Sequence, residues 1–297
     1  MSDQITSVSV IGLGNIGSGI AKNILQAGYD LTVFNRTPAK MEPLLDLGAQ
    51  AASSPQEAAA NSELVLTSLM DDESVLLTTT GDHGILAGIK PGAIHLGTTT
   101  ISPKLSSQLA QMHIAQGSYY VAAPIIGRGD YAQLGKLIAQ VGGENEVVEK
   151  CIGVLEAYTQ KIIYVGEDHA AAANAKLALN YMTVALIELY SQCYAFGLKS
   201  GISVELMHEC IDTMMDWYSP RKYAETIKDR VYEPANFKVT SGFKDVQLML
   251  ESAKEIGAPL HYASLISDKY ISLIAQGMGD LDWSAIHEVN LWNAGLD

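Results

Sequence analysis

The chain has 297 residues, about twice the roughly 150 expected of a single domain, so two domains are expected, each long enough to bury a core. A composition of 48% hydrophobic and 18% charged residues excludes a disordered polymer, and a formal net charge of −14 argues against nucleic acid or an anionic membrane surface as partner. No run of eighteen uncharged apolar residues is present, so no membrane span is expected, and the first residues lead into a strand pattern without a basic-then-apolar leader. Cys151, Cys193 and Cys210 are odd in number, far apart and without metal-ligand spacing, which suits a reducing cytoplasm, no disulfide framework and no metal.

Taken in order, residues 7–11, 31–35, 64–68 and 93–97 are short β-branched or apolar runs that read as buried strands. Between the first two, Ile16, Ile20 and Ile24 repeat at helical spacing, and Pro38 opens another helical stretch just after a threonine. Further strands fit 119–122, 137–141 and 162–165. The alternation predicts an α/β fold: a doubly wound, Rossmann-type parallel sheet. After Gly166 the texture changes. From about 168 to 198 the chain has no proline, no glycine before Gly197, and much Ala, Leu and Met, which predicts one helix of roughly 45 Å. Beyond it, Gly201, Pro220, Pro234, Gly242, Gly257 and Gly277 separate shorter helices. The expected division is therefore 1–165, an α/β nucleotide-binding domain, and 166–297, an all-α domain opened by a long interdomain helix.

The first strand ends in Gly12-Leu13-Gly14-Asn15-Ile16-Gly17, a GxGxxG at a strand-to-helix turn. Gly12 permits the tight turn, Gly14 lets a diphosphate approach the backbone, and Gly17 lets helix and strand pack closely. Free N–H groups and the positive dipole end of the helix then face the phosphates. The second strand ends in Phe34-Asn35-Arg36-Thr37. No carboxylate stands there to repel a 2′-phosphate; Arg36 can bind one through a charge-assisted fork, with Asn35 and Thr37 adding neutral hydrogen bonds and Lys40 one turn on. NADP(H) is the expected cofactor.

Within the long helix, Lys176 and Asn180 are four apart and share a face amid Ala, Leu, Met and Val. Two readings are open. A partly buried ammonium beside a nicotinamide can protonate the oxygen on which charge develops, with Asn180 holding that oxygen or the lysine rotamer. Alternatively the lysine snorkels to solvent and Asn180 is a helix–helix contact. Met214, Met215, Trp217 and Tyr218 can likewise line an apolar pocket or simply pack a core.

The glycine turn, the Asn35-Arg36-Thr37 strand end, Lys176-xxx-Asn180 and Phe243-Lys244-Asp245, in this order over nearly the whole chain, resemble the β-hydroxyacid dehydrogenase family. That family is similar to 3-hydroxyisobutyrate dehydrogenase, to 6-phosphogluconate dehydrogenase, and to the glyoxylate and succinic semialdehyde reductases. The resemblance implies a Rossmann domain, a helical C-terminal domain that often mediates dimerisation, and an active site in the cleft between them. It makes Lys176 the catalytic lysine, Asn180 the substrate-orienting asparagine, and Lys244 a lysine that closes over the cofactor. It sets Leu69 and Met70, in Ser68-Leu69-Met70-Asp71, along the cofactor, and Thr100, in Thr99-Thr100-Ile101-Ser102-Pro103, near the nicotinamide ribose. The family's Asp-Ala-Pro-Val-Ser-Gly-Gly substrate motif is altered here to Ala122-Ala123-Pro124-Ile125-Ile126-Gly127-Arg128. Ile126 lacks the hydroxyl donor, and Arg128 is either a different anion clamp or a surface arginine. Alanines at 170–173 replace the family's glycines before the lysine, and His169 reads as a helix-start residue rather than a base.

The expected activity is NADPH-dependent reduction of a small aldehyde or keto acid, the reverse being hydroxy acid oxidation, in a homodimer. An imine reductase is the alternative enzyme: the apolar Ile125-Ile126 pair favours it, and retention of a lysine at 176 opposes it. A non-catalytic NADPH sensor is the alternative of another class. No HExxH or Gly-x-Ser-x-Gly pattern supports a metal or serine hydrolase.

Overall fold

The computed structural model describes residues 5–217 and 220–296, with backbone alone at 216, 217, 220 and 221. The chain divides into two compact units between Tyr181 and Met182. The first contains β1 (Ser7–Ile11), α1 (Gly17–Gln26), β2 (Asp30–Phe34), α2 (Glu42–Leu45), β3 (Gln50–Ala51), α3 (Pro55–Ala60), β4 (Leu64–Thr67), α4 (Asp72–Thr80) and β5 (Ile94–Gly97). It continues through α5 (Pro103–Ala115), β6 (Tyr119–Ala122), β7 (Ile125–Ile126), α6 (Gly129–Gln133), β8 (Leu137–Gly142), α7 (Asn145–Glu156) and β9 (Thr159–Gly166).

The sheet order is β3-β2-β1-β4-β5-β6-β8-β7, with β9 beside β8. From β3 to β6 every pairing is parallel, as the strand–helix rhythm predicts. The departure is at β8, which pairs antiparallel with β6 and β7 before β9 returns parallel to it. The two-residue strands β3 and β7 are too short to announce themselves in sequence. The core on one side of the sheet is built from Val8, Val10, Ile20, Ile24, Leu137 and Leu155. Ile20 and Ile24 thus face inward as their spacing requires, while Ile16 is only partly buried at the head of α1.

A chain of buried polar side chains crosses the sheet. Thr67 Oγ1 lies 2.9 Å from His95 Nε2, His95 Nδ1 lies 3.0 Å from His113 Nε2, and His113 Nδ1 lies 2.9 Å from Ser118 Oγ. Ser118 Oγ–H donates to the His113 carbonyl, so its oxygen accepts from His113 Nδ1–H. By the same logic His95 Nδ1–H donates to His113, and the Thr67 hydroxyl donates to His95. Each ring then carries one proton, and both imidazoles are neutral.

The second unit takes up α8 (His169–Lys199), of which it holds the part beyond Tyr181, and adds α9 (Val204–Trp217), α10 (Pro220–Asp229), α11 (Val239–Ile256), α12 (His261–Ala275) and α13 (Ile286–Asn293). The long helix has 31 residues, close to expectation. Gly242 does not separate helices; it lies inside α11, where a Cβ would come within 3.1 Å of the Trp283 ring. Its smallness therefore serves packing. Tyr232, Val239, Tyr270 and Leu273 form the core, and buried Glu288 accepts from Arg230 and from the Tyr232 hydroxyl.

α8 also amends the membrane expectation. By length and hydropathy (1.2 over eighteen residues) it is apolar enough to cross a bilayer, and only 17% of that window is buried. Its apolar residues are, however, interrupted by Glu188 and Gln192, and Gln192 Oε1 accepts the His261 N–H at 3.0 Å, docking α8 on the start of α12.

Burial pushes the His113 imidazole down from 6.5 to about 4, and burial, aided by His113, holds His95 well below its ordinary value. The unfolded chain takes up these protons below about pH 6.5, while the native chain refuses that of His113 until about pH 4 and resists that of His95 in the same direction. Stability is therefore expected to fall as pH drops through that window, by roughly 3 kcal/mol from His113 alone. Denaturant unfolding at stepped pH checks this, and His113→Gln should flatten the slope between pH 6.5 and 4.

Candidate active site

β1 ends where the chain must turn within one residue, and Gly12 takes φ +96° to do so. A Cβ on Gly12 would clash with the Ser68 carbonyl and lie 2.8 Å from Leu69 Cδ2; one on Gly17 would clash with the Gly12 carbonyl. These two glycines are required by the protein's own packing. Gly14 is different: a Cβ there would meet nothing within 4 Å, so the backbone is bare toward open space. Asn15 and Ile16 complete the turn, and α1 begins without a side-chain cap. Ser18 N–H is taken by the Gly14 carbonyl at 3.0 Å, and the Gly17 and Gly19 N–H groups are left for an anion.

Asn35 ties the turn to the end of β2. Its Oδ1 accepts the Leu13 N–H at 2.9 Å, and its Nδ2 donates to the Thr37 carbonyl at 3.0 Å. Arg36 and Thr37 beside it are exposed. On the other flank, Met70 is 85% exposed, a large apolar side chain presented to solvent next to the glycine turn. The loop carrying it is held by Thr99, whose hydroxyl accepts the Leu69 N–H at 2.9 Å. Thr100 is only half-buried, so the threonine with a visible structural task is its neighbour.

The head of α8 is fixed by three contacts, one to β6, one to α5 and one of its own. His169 Nε2 donates to the Tyr120 carbonyl at 2.8 Å, Ser106 Oγ donates to the His169 carbonyl at 2.9 Å, and Asp168 Oδ1 accepts the Ala170 N–H at 2.9 Å. His169 is accordingly a helix anchor. A Cβ on Gly142 would lie 2.9 Å from the Asp168 carbonyl and 3.1 Å from Ala172 Cβ, so bare strand backbone allows the close approach. One turn beyond Ala172 stands Lys176, 7% exposed. Burial lowers its pKa below the ordinary 10.5, which eases release of its proton near neutral pH. Asn180, a further turn on, is exposed.

The altered motif lies on β7 and the following turn. Ile126 is half-buried, Gly127 takes φ +136°, and Arg128 is 81% exposed and paired with Asp130 at 3.1 Å. In the second unit Lys244, 67% exposed, pairs with Asp245 at 2.7 Å. Met214 is exposed; Tyr218 and the Trp217 side chain lie outside the described residues. Among the described residues no cluster of His, Cys, Asp or Glu could hold a metal. Sequence reasoning missed Gly142, Thr99 and Gln140. The doublet Gly142-Gly143 after a strand was a signal for a close helix, and a glutamine inside the apolar run Leu137-Ile138-Ala139-Gln140-Val141 was a signal for a buried polar task.

Residues 7–166 match the family described as the NAD binding domain of 6-phosphogluconate dehydrogenase, and residues 170–290 that described as NAD-binding of NADP-dependent 3-hydroxyisobutyrate dehydrogenase. The chain is 38% identical to the uncharacterized oxidoreductase YfjR of Bacillus subtilis, over 94% of this chain and 98% of that one. It is 29% identical to the chloroplastic glyoxylate/succinic semialdehyde reductase 2 of Arabidopsis thaliana, over 96% and 80%. Its fold is similar to that of an imine reductase from Myxococcus stipitatus in complex with NADP+, with a TM-score of 0.84 at 22% identity, covering 95% and 99% of the two chains.

The glycines make a paired prediction. Gly17→Ala should cost about 3 kcal/mol or more of stability, because neither backbone can yield. Gly14→Ala should melt with the wild type yet weaken dinucleotide binding, since its added methyl intrudes only on the open side. Thermal melts and a fluorescence titration with dinucleotide read both.

Proposed function

Since the chain belongs to the β-hydroxyacid dehydrogenase family of NAD(P)-binding oxidoreductases, we propose that it reduces a small aldehyde or keto acid with NADPH, Lys176 acting as general acid. The observation that carries this is the buried ammonium of Lys176, its pKa lowered by burial, on a helix turn pressed against the sheet. The residues present fit the dinucleotide: the open side of Gly14, the uncapped start of α1, and Arg36 at the end of a strand without a carboxylate.

NADPH, when bound, supplies the hydride. Gly14, Asn15 and Ile16 offer the backbone of the turn to the diphosphate, Leu13 holds the turn through its N–H to Asn35, and Arg36 with Thr37 receives the 2′-phosphate. Leu69 and Met70 cover one side, and Lys244 offers an exposed cation. Lys176 donates its proton to the carbonyl oxygen as charge develops there, while Asn180 orients that oxygen. In the oxidative direction the neutral lysine takes the proton from the hydroxyl. Ile126, Gly127 and Arg128 shape the substrate end, the isoleucine disfavouring a simple 3-hydroxy acid. The natural assembly is a homodimer that covers the exposed apolar side chains of α8, including Val184, Ile187 and Leu189. The free thiols Cys151, Cys193 and Cys210 suit the cytoplasm.

Lys176→Ala is expected to lower reductive kcat by about 10²–10⁴ with NADPH affinity unchanged. In the wild type, reductive kcat/KM should fall as pH rises through a lysine pKa below 10.5, a limb the variant lacks; equal turnover in both would refute the assignment. Turnover of cyclic imines without carbonyls would instead favour an imine reductase, the reading that Ile125 and Ile126 support. Arg36→Ala should raise the Kd for NADPH about tenfold and leave that for NADH in place, as binding titrations would show.

A further inference from the structure

Gln140 is 1% exposed, and neither Oε1 nor Nε2 has a hydrogen-bond partner in the protein. A buried carboxamide without a protein partner in the resting fold calls for one. Strand register shows which way it points. Ile126 pairs with Ile138, and Ala122 with Gly142, so Pro124 stands opposite Gln140, whose N–H donates to the Pro124 carbonyl at 3.1 Å. Paired residues and alternate residues along a strand share a face. Gln140 therefore points to the side on which Gly142 meets Ala172.

On that side the head of α8 lies against the end of β8. A Cβ on Gly143 would lie 3.4 Å from the His169 ring, and one on Gly142 3.1 Å from Ala172. From Ala172 to Lys176 is about 6 Å along a helix. From Gly142 back to Gln140 is about 6.6 Å along a strand. The next turn of the helix thus carries Lys176 about as far from that contact as Gln140 lies. Among the described residues no hydrogen bond or ion pair holds the Lys176 ammonium, so an unpartnered donor one helical turn from the Gly142–Ala172 contact matches an unpartnered acceptor two strand residues from it.

We propose that Gln140 is the positioning residue for Lys176, its Oε1 accepting a hydrogen bond from the protonated Nζ when the lysine turns inward. The proposal rests on the reading of Lys176 as general acid. The bond favours the ammonium, opposing the desolvation that lowers the pKa of Lys176, and it withdraws when the proton passes to the substrate. Other titratable groups on this side are Tyr120, with Asp72 near it, His169 and Asp168. Burial alone accounts for the Lys176 shift, without a charged neighbour.

The test uses the full chain with Gln140→Met, of matched size, and Gln140→Glu. NMR titration of lysine side-chain carbons follows Lys176, assigned by its loss in Lys176→Met. The Lys176 pKa is expected to fall by about one unit in Gln140→Met, a tenfold change, and to rise in Gln140→Glu. The alkaline limb of the reductive pH profile should move the same way, kcat falling about tenfold in Gln140→Met while KM and NADPH affinity stay. A Lys176 titration unmoved in both variants would overturn the proposal, whatever the turnover. Shifted titrations in an enzyme indifferent to Lys176→Ala would leave the proposal standing and remove the general-acid reading instead. If Gln140→Glu unfolds, the Gln140→Met shift decides alone.

Discussion

A side chain on Gly142 would strike the carbonyl of Asp168 and the methyl of Ala172, so the first turn of α8 rests on uncovered strand backbone. That contact sets the depth of everything the helix carries. His169, Ser106 and Asp168 keep the turn from rotating, and the rotation so fixed sends Ala172, Ala173 and Lys176 inward while Asn174 and Leu177 face outward. A lysine on an unanchored helix would carry its amine to water. Here the side chain is buried and the ammonium loses part of its solvation, which is the physical origin of its lowered proton affinity.

The nucleotide turn shows the same economy of backbone contact in a local form. Gly17 must lack a side chain because of the Gly12 carbonyl, so that need is written within six residues and could be read directly, whereas Gly12 makes room for Ser68 and Leu69. The strand–helix rhythm that gives β1 to β6 was equally legible, because each element repeats its own period. What escaped reading depended on partners distant in sequence. The antiparallel β7–β8 pairing, the pressing of Gly142 on residue 172, and the attachment of Leu69 to Thr99 all join segments that composition cannot bring together. Gly242 was misread for a related reason. A glycine in a helix looks like a break until the Trp283 ring that needs the space is known. Lys176 was legible as a residue with two fates, and only its burial separates them.

Charge follows the same division between whole and part. Fourteen net negative charges bear on the far field, yet the first unit keeps its buried histidines neutral and, Lys176 apart, presents cations such as Arg36 and Arg128 at its surface. His95 and His113 are accommodated by sharing protons in one direction along a chain that begins and ends on hydroxyls, so no ion is buried under the sheet. Arg36 stands exposed at the end of β2. A small polyanion meets this local positive edge at short range, where the global field is screened beyond roughly 8 Å at physiological ionic strength.

Asn35 joins the end of β2 to the glycine turn through its Oδ1. An aspartate would carry that oxygen unchanged and lose only the exposed contact to the Thr37 carbonyl. The loop that shapes the diphosphate site therefore does not care whether an amide or an acid stands there. A single base change converts one to the other, so ribose discrimination can change here without rebuilding the scaffold. Cofactor choice and fold are, at this position, separately inherited.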